Sequence, residues 1–288
     1  MSLSINTNYS TLVASHTLGA TMGRITETMR QLSTGTAVTP KSDPASFIAG
    51  TLMGSEMLVA QQAAKNAQLS NAVLSIAESG MGRITNMLQE ARTLSVAASN
   101  TAALTPDMVN AYQMQMDGIL GSVNRVAKTT NYLGMPLLDG TYTHKVAQLG
   151  TDVVPAQQAL LTIPNMSTAA LGGTQGKLLD LGAGGAAALA MNPGLADSIL
   201  KSSLSSVLNT RGDIGATQKY TLDLSQKFME DYMTQLGGAK SLIMDTDFAV
   251  ATSNLARDML LAQTGIMSLG LSTKPAQYAT SLLMGSFH

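Results

Sequence analysis

Residues 18–32 read Leu-Gly-Ala-Thr-Met-Gly-Arg-Ile-Thr-Glu-Thr-Met-Arg-Gln-Leu, and Leu18, Met22, Ile25, Met29 and Leu32 recur at steps of four and three. On a helix this spacing lays the apolar side chains in one stripe, which needs a partner helix to cover it. The other end of the chain carries the same pattern: Phe248, Thr252, Leu255, Met259, Ala262, Ile266 and Leu269 again step by four and three. Ile5, Tyr9 and Leu12 form a shorter seam ahead of the first, and the six-residue step from Leu12 to Leu18 makes it drift. Gly19, Gly23 and Gly35 weaken this first helix further, by roughly 1 kcal/mol each where interior. Each end alone is marginal, so both are expected to order only when packed.

Between the ends lie three longer helical patterns. Leu69, Val73, Ile76, Ile84, Met87, Ala91, Leu94 and Ala98 mark one face of a segment from Pro44 to about Asn100. At about 1.5 Å per residue it would make a rod on the order of 80 Å. Thr105-Pro106-Asp107 reads as a helix start, with Val109, Tyr112, Met116, Ile119, Val123, Val126 and Thr130 behind it. A later helix, about 193–236, presents Leu200, Leu204, Val207, Ile214, Leu222, Met229, Tyr232 and Leu236. Asp139-Gly140 suggests a turn, and residues 146–154 and 159–163 suggest short strands. The Gly- and Ala-rich stretch 167–194 reads as an exposed loop. The expected fold class is mainly α: an elongated antiparallel helical bundle or coiled coil of the N- and C-terminal segments, with a small β-hairpin region in the middle. Five segments follow: an arm over 1–40, central helices and hairpin over 41–165, a loop at an outer tip over 166–194, a returning helix over 195–242 and an arm over 243–288.

Composition narrows the function. Charged residues make up 12% of the 288, about half the roughly 25% of ordinary globular proteins, and the net charge is −1. Such a chain lacks the basic footprint that nucleic-acid backbones require. It has no Cys, which excludes disulfides and sulfur-ligated zinc, and no apolar run long enough to span a bilayer. The N-terminus shows no secretory signal pattern. His16, His144 and His288 are scattered without metal-ligand spacing. Gly172-x-x-x-Gly176-Lys177-Leu178 is one residue short of a phosphate loop, and Leu178 stands where a hydroxyl must hold magnesium. Asp245 and Asp247 suit a helix start better than an acid–base pair. No catalysis, cofactor or metal is expected. The chain carries 19 Met instead, flexible side chains suited to adaptable contacts.

Several motifs resemble bacterial flagellin, in order from both ends. They are Ser4-Ile5-Asn6-Thr7-Asn8, Leu32-Ser33-Thr34-Gly35 with Ser42-Asp43-Pro44-Ala45, and Asn131-Tyr132-Leu133-Gly134 with Leu137-Leu138-Asp139-Gly140-Thr141. Asp245-Thr246-Asp247-Phe248-Ala249 with Leu255 and Arg257, and then Leu282-Leu283, complete the set. The resemblance implies a short flagellin without large outer variable domains: a filament subunit for swimming motility whose terminal helices pair in an inner core. It implies type III export without a cleaved signal, an extracellular flagellum, and self as the main partner. An export apparatus, a chaperone, and hook-associated and cap proteins are the further implied partners, with neither nucleic acid nor membrane insertion. Within Leu88 to Leu94, the stretch that corresponds to the family's innate-receptor contact, Glu90 stands where recognised flagellins look basic, which implies weak receptor activation.

The expected self-assembly residues are Ile5, Leu12, Leu18, Met22, Ile25, Met29 and Leu32 at one end. At the other they are Phe248, Leu255, Met259, Ile266, Leu269, Leu282 and Leu283. Arg92 and Asp117 are expected as outer-shell contacts. The rival readings are a hook–filament junction protein of the same superfamily and a surface-displayed flagellin-like binding module. The Ser4–Asn8 and Asp245–Ala249 motifs favour flagellin proper over the first, and the scarcity of aromatic and acidic side chains in 165–195 speaks against the second.

Overall fold

The computed structural model describes residues 9–100 and 102–285, with backbone alone at 275–277, 279–280 and 282–285. The chain divides into two compact units, Met1–Ser55 with Gln235–His288, and Glu56–Thr234. The fold is mainly α, with small two-stranded sheets in the middle of the sequence, as the periodicity predicts.

In the first unit, α1 (Tyr9–Thr34) stops where Gly35 takes a φ of +70°, a left-handed conformation that favours glycine at a helix end. The chain then pairs with the far end of the sequence. Ala37 N donates to Met244 O at 2.8 Å, and Thr246 N to Gly35 O at 2.9 Å, around an antiparallel bridge between Thr36 and Asp245. Helix α2 (Pro44–Ala98) starts on Asp43, whose Oδ1 accepts from Ser46 N at 3.1 Å, with Pro44 at the first helical position. Hydrogen bonds from Ser46 hold the Asp43 carboxyl below its ordinary range. Asp247 Oδ1 accepts from Ala249 N and Val250 N at 2.9 and 3.1 Å, and so caps the C-terminal helix. Of the two acids expected at a helix start, Asp247 caps and Asp245 lies in the bridge.

In the second unit α2 packs with α3 (Pro106–Thr129) and α4 (Pro193–Thr217) over a core that includes Ile84, Leu88, Met116, Val123, Leu200 and Val207. Thr105 caps α3 and Asn192 caps α4, each followed by proline. A π-helical turn, Gln218–Leu222, joins α4 to α5 (Asp223–Met244). The apolar stripe explains it: Val207 to Ile214 is seven residues, Ile214 to Leu222 is eight, and Leu222 to Met229 is seven again. The wider turn absorbs the extra residue, so Leu222 and Met229 stay buried in line with Ile214. Gln218 Nε2 donates to Asn71 Oδ1 at 2.7 Å, and Asn71 Nδ2 to Asp223 Oδ1 at 2.8 Å, fixing the turn against α2.

Three antiparallel pairs follow α3: β1 (Asn131–Tyr132) with β2 (Met135–Pro136), β3 (Lys145–Gln148) with β4 (Gln158–Leu161), and β5 (Gly172–Gly173) with β6 (Gly176–Lys177). Leu133 and Gly134 both take positive φ, 49° and 84°, as a two-residue hairpin turn demands. The expected strand over 146–154 ends at Gln148, because the side chain of Gln157 folds back and accepts from Asp152 N at 2.7 Å. The 167–194 stretch is more structured than its composition suggests. Its glycines make the turns of β5–β6, where a Cβ on Gly172 would strike Gly176 O, while Leu171, Leu178, Leu181 and Leu189 between them are buried in the core.

Candidate functional site

The terminal helices pack antiparallel, α1 against α6 (Phe248–Gly285). Thr11 meets Ser272 at 3.2 Å between hydroxyls, Leu18 packs on Gly265, and Arg24 reaches Asp258 at 3.3 Å. On α1 the side turned to the partner is Thr11, Ala14, Leu18, Thr21, Ile25, Thr28 and Leu32; on α6 it is Ala251, Leu255, Asp258, Ala262, Gly265, Leu269 and Ser272. Both lists step by three and four, so the expected heptad geometry is present.

The phase differs from the one expected. Leu18, Ile25 and Leu32 on α1, and Leu255 and Leu269 on α6, do sit half-buried in the seam. At the alternate positions the seam takes the residue one step earlier: Thr21 and Thr28 instead of Met22 and Met29, Asp258 and Gly265 instead of Met259 and Ile266. Small and short polar side chains let two helices approach closely, and the backbone separation depends on what fills the contact. Met22, Met29, Met259 and Ile266 are therefore turned out, 43, 53, 47 and 54% exposed. In an antiparallel pair, the positions that follow the seam on each helix lie on the same flank, so these four form one apolar stripe. Leu12 and Phe248 are also exposed. Ile5 and His288, together with the Leu282 and Leu283 side chains, lie outside the described residues.

The ion pair was not expected. Asp258 is 2% exposed and is held by Arg24, with Arg257 at 4.0 Å. Its signal in the sequence is faint: Arg24 lies 12 residues before Thr36 and Asp258 lies 13 after Asp245, the two residues that meet in the bridge. On the opposite flank a groove of about 670 Å³ is lined by Val13, Thr17 and Thr21 from α1 and Leu261, Thr264 and Ser268 from α6. Further large apolar side chains of α6, Val250, Leu260, Leu261, Met267 and Leu271, also face out. Apolar side chains thus project from several sides of α6, and α1 covers only one of them.

The two expected outer contacts are engaged within the chain. Arg92 Nε donates to Asp197 Oδ1 at 3.1 Å, and Asp117 Oδ1 accepts from Gln113 Nε2 and Ala183 N at 2.9 and 3.0 Å. Burial works to raise the Asp197 carboxyl, but hydrogen bonds and charge from Lys201 and Arg92 outweigh it and hold the group below its ordinary value. Among the described residues no group of three or more His, Cys, Asp or Glu comes together to hold a metal.

Residues 5–143 match the family model described as bacterial flagellin N-terminal helical region. Over 287 residues the chain is 27% identical to the flagellar filament 30.7 kDa core protein of Treponema maltophilum, covering 97% of this chain and 99% of that one. The chain belongs to the flagellin family. This flagellin is also 26% identical over 293 residues to the flagellar filament 33 kDa core protein of Treponema phagedenis, with 97% and 99% covered. Against polar flagellin A of Vibrio parahaemolyticus the identity is 29% over 174 residues, 60% of this flagellin but 46% of that relative. Among solved structures, a Bacillus cereus flagellin aligns at 20% identity with a TM-score of 0.45, over 57% of this chain and 88% of that one.

Proposed function

We infer that this flagellin is a structural, non-enzymatic subunit of a flagellar filament and that it polymerises through the outward faces of the α1–α6 pair. The observation that carries the assembly surface is the exposure of Met22, Met29, Met259 and Ile266 along one flank of a helix pair whose own seam takes smaller residues at the alternate positions. Burying each large side chain against a neighbouring copy contributes roughly 1.5–3 kcal/mol, a gain open only to the polymer. Leu12 and Phe248 add exposed apolar area to the pair, the half-buried Leu18, Ile25, Leu32, Leu255 and Leu269 hold it together, and Leu282 and Leu283 are assigned to assembly from the sequence motif alone. Ile5 belongs to the same set. The exposed α6 face is also what an export chaperone would need to cover before assembly, and what hook-associated and cap proteins would meet at filament ends.

Seeded polymerisation followed by negative-stain electron microscopy tests the assembly surface. The full chain should elongate seeds, and Met22→Lys with Ile266→Lys should not, while circular dichroism shows its helices intact. Elongation by the double variant would move the interface elsewhere. The filament is proposed to lie outside the cell. Gold-labelled antibody should then decorate filaments on intact cells, and labelling only after outer-envelope disruption would place it beneath the surface.

A further inference from the structure

Sulfur enters this chain only through its 19 Met, since there is no Cys. Met22 and Met29 each follow a seam threonine on α1 and Met259 follows Asp258 on α6, which sets three thioethers on one flank within reach of solvent. Met81, Met116 and Met166 are by contrast sealed in the core of the other unit. An accessible thioether is open to two-electron oxidants, and a sealed one is protected.

We propose that Met22, Met29 and Met259 form a reversible oxidation site that governs entry of the free subunit into the filament, a proposal that rests on the assembly surface described above. The oxidant is a peroxide. The Sδ lone pair attacks a peroxide oxygen, an S–O bond forms as the O–O bond breaks, sulfur gives up two electrons, and the peroxide leaves as water. A methionine sulfoxide reductase reverses the step: two thiols supply the electrons, become a disulfide, and the oxygen departs as water.

The flank is poorly equipped to accommodate the product. A sulfoxide turns an apolar side chain polar, and its oxygen is a strong acceptor that must find a donor when a second copy closes over it. The threonines of the flank already donate to their own helices: Thr26 Oγ1 to Met22 O at 3.0 Å, Thr252 Oγ1 to Phe248 O at 2.7 Å and Thr273 Oγ1 to Gly270 O at 2.9 Å. Ser15 lies two turns before Met22, about 10 Å along the helix and out of reach. Ser33 and Gln263 stand one turn beyond Met29 and Met259, so those two sulfoxides have a donor close by, whereas Met22 has none to spare on its own helix. Met22 is therefore the most sensitive of the three, and the other two lose their apolar contact even where the oxygen is paired. A subunit oxidised at Met191, 72% exposed in the other unit, meets no such penalty at this surface.

The test uses the full chain. Free subunit is treated with hydrogen peroxide to partial oxidation and added to seeds. Filament and unpolymerised fractions are separated, and sulfoxide at each Met is quantified by peptide mass spectrometry. Sulfoxide at Met22 should be depleted about tenfold or more from the filament fraction, the effect of closing an unpaired polar group into an apolar contact. Met29 and Met259 should be depleted less strongly, and sulfoxide at Met191 should divide evenly. Reductase treatment of the excluded fraction should return it to assembly. Even partition of the flank sulfoxides, or exclusion that tracks Met191 instead, overturns the proposal while the assembly reading stands. Failure of untreated subunit to elongate seeds overturns both.

Discussion

At the scale of single residues, Asp258 is the charged group of the α1–α6 seam, and its burial makes it depend on Arg24. Removing one partner of such a pair leaves a buried carboxylate short of donors. Arg24→Ala should therefore weaken the pair by about 1–3 kcal/mol, read as faster amide exchange over residues 9–34, and Asp258→Asn should cost less. Equal exchange in Arg24→Ala and the parent chain would mean that water replaces the guanidinium. Leu133 has a φ of 49°, which a branched side chain adopts at a cost, and it is exposed. Leu133→Asn should raise the stability of the 56–234 unit by roughly 0.5–1 kcal/mol in a denaturant melt. Asp197 carries a pH dependence. Its carboxyl is depressed in the folded chain, so its contribution is complete above the ordinary carboxylate value and is lost as pH falls through the folded one. Thermal melts of the parent should lose stability below about pH 4, and Asp197→Asn should show a shallower loss. Residue-scale features were legible where they act locally: Asp247 capping α6 and Thr105 capping α3 follow from side chains that reach their own helix. The Arg24–Asp258 pair was not, because its partners are 234 residues apart and only the folded seam unites them.

At the scale of elements, the π-helical turn between α4 and α5 shows how a stripe keeps its line. The eight-residue step from Ile214 to Leu222 stands in the sequence, but the step alone does not distinguish a wide turn from a break. Deleting Tyr220, exposed within the turn, removes the extra residue and leaves an ordinary seven-residue step. Deleting Leu208, exposed within α4, shortens the Val207–Ile214 step and turns everything downstream by roughly 100°. The first deletion should shift the melting temperature by only a few degrees, while the second should abolish the cooperative transition. Similar damage from both would deny the turn its compensating role. The seam phase was illegible for a related reason. Thr21 with Thr28 and Met22 with Met29 satisfy the same spacing between Leu18, Ile25 and Leu32, and periodicity cannot choose between two adjacent stripes. The choice falls to packing: the smaller residue faces the partner helix, and the larger is left for another surface.

At the scale of the whole molecule, the proposed assembly would give the low charge of the chain and the exposed apolar side chains of α6 one physical cause. Surfaces that end among copies of the same chain have no need of solvating charge, and a flagellin filament supplies those copies. Removing water from apolar surface is strengthened by excluded salts such as sulfate, whereas ion pairing is screened by salt. Seeded elongation should therefore accelerate as sulfate is raised, and slowing under sulfate would point to charge-driven contacts. The most direct measurement of the central claim sets two variants side by side in seeded elongation under the electron microscope. Gly265→Leu crowds Leu18 inside the α1–α6 seam, and Met22→Lys with Ile266→Lys leaves that seam alone but charges the outer flank. The flank variant should keep its helical signal and the amide protection of the pair yet fail to extend seeds, while the seam variant should lose that protection first. Long filaments from a flank variant with an intact pair would contradict the assignment of assembly to the outward face of the terminal helices.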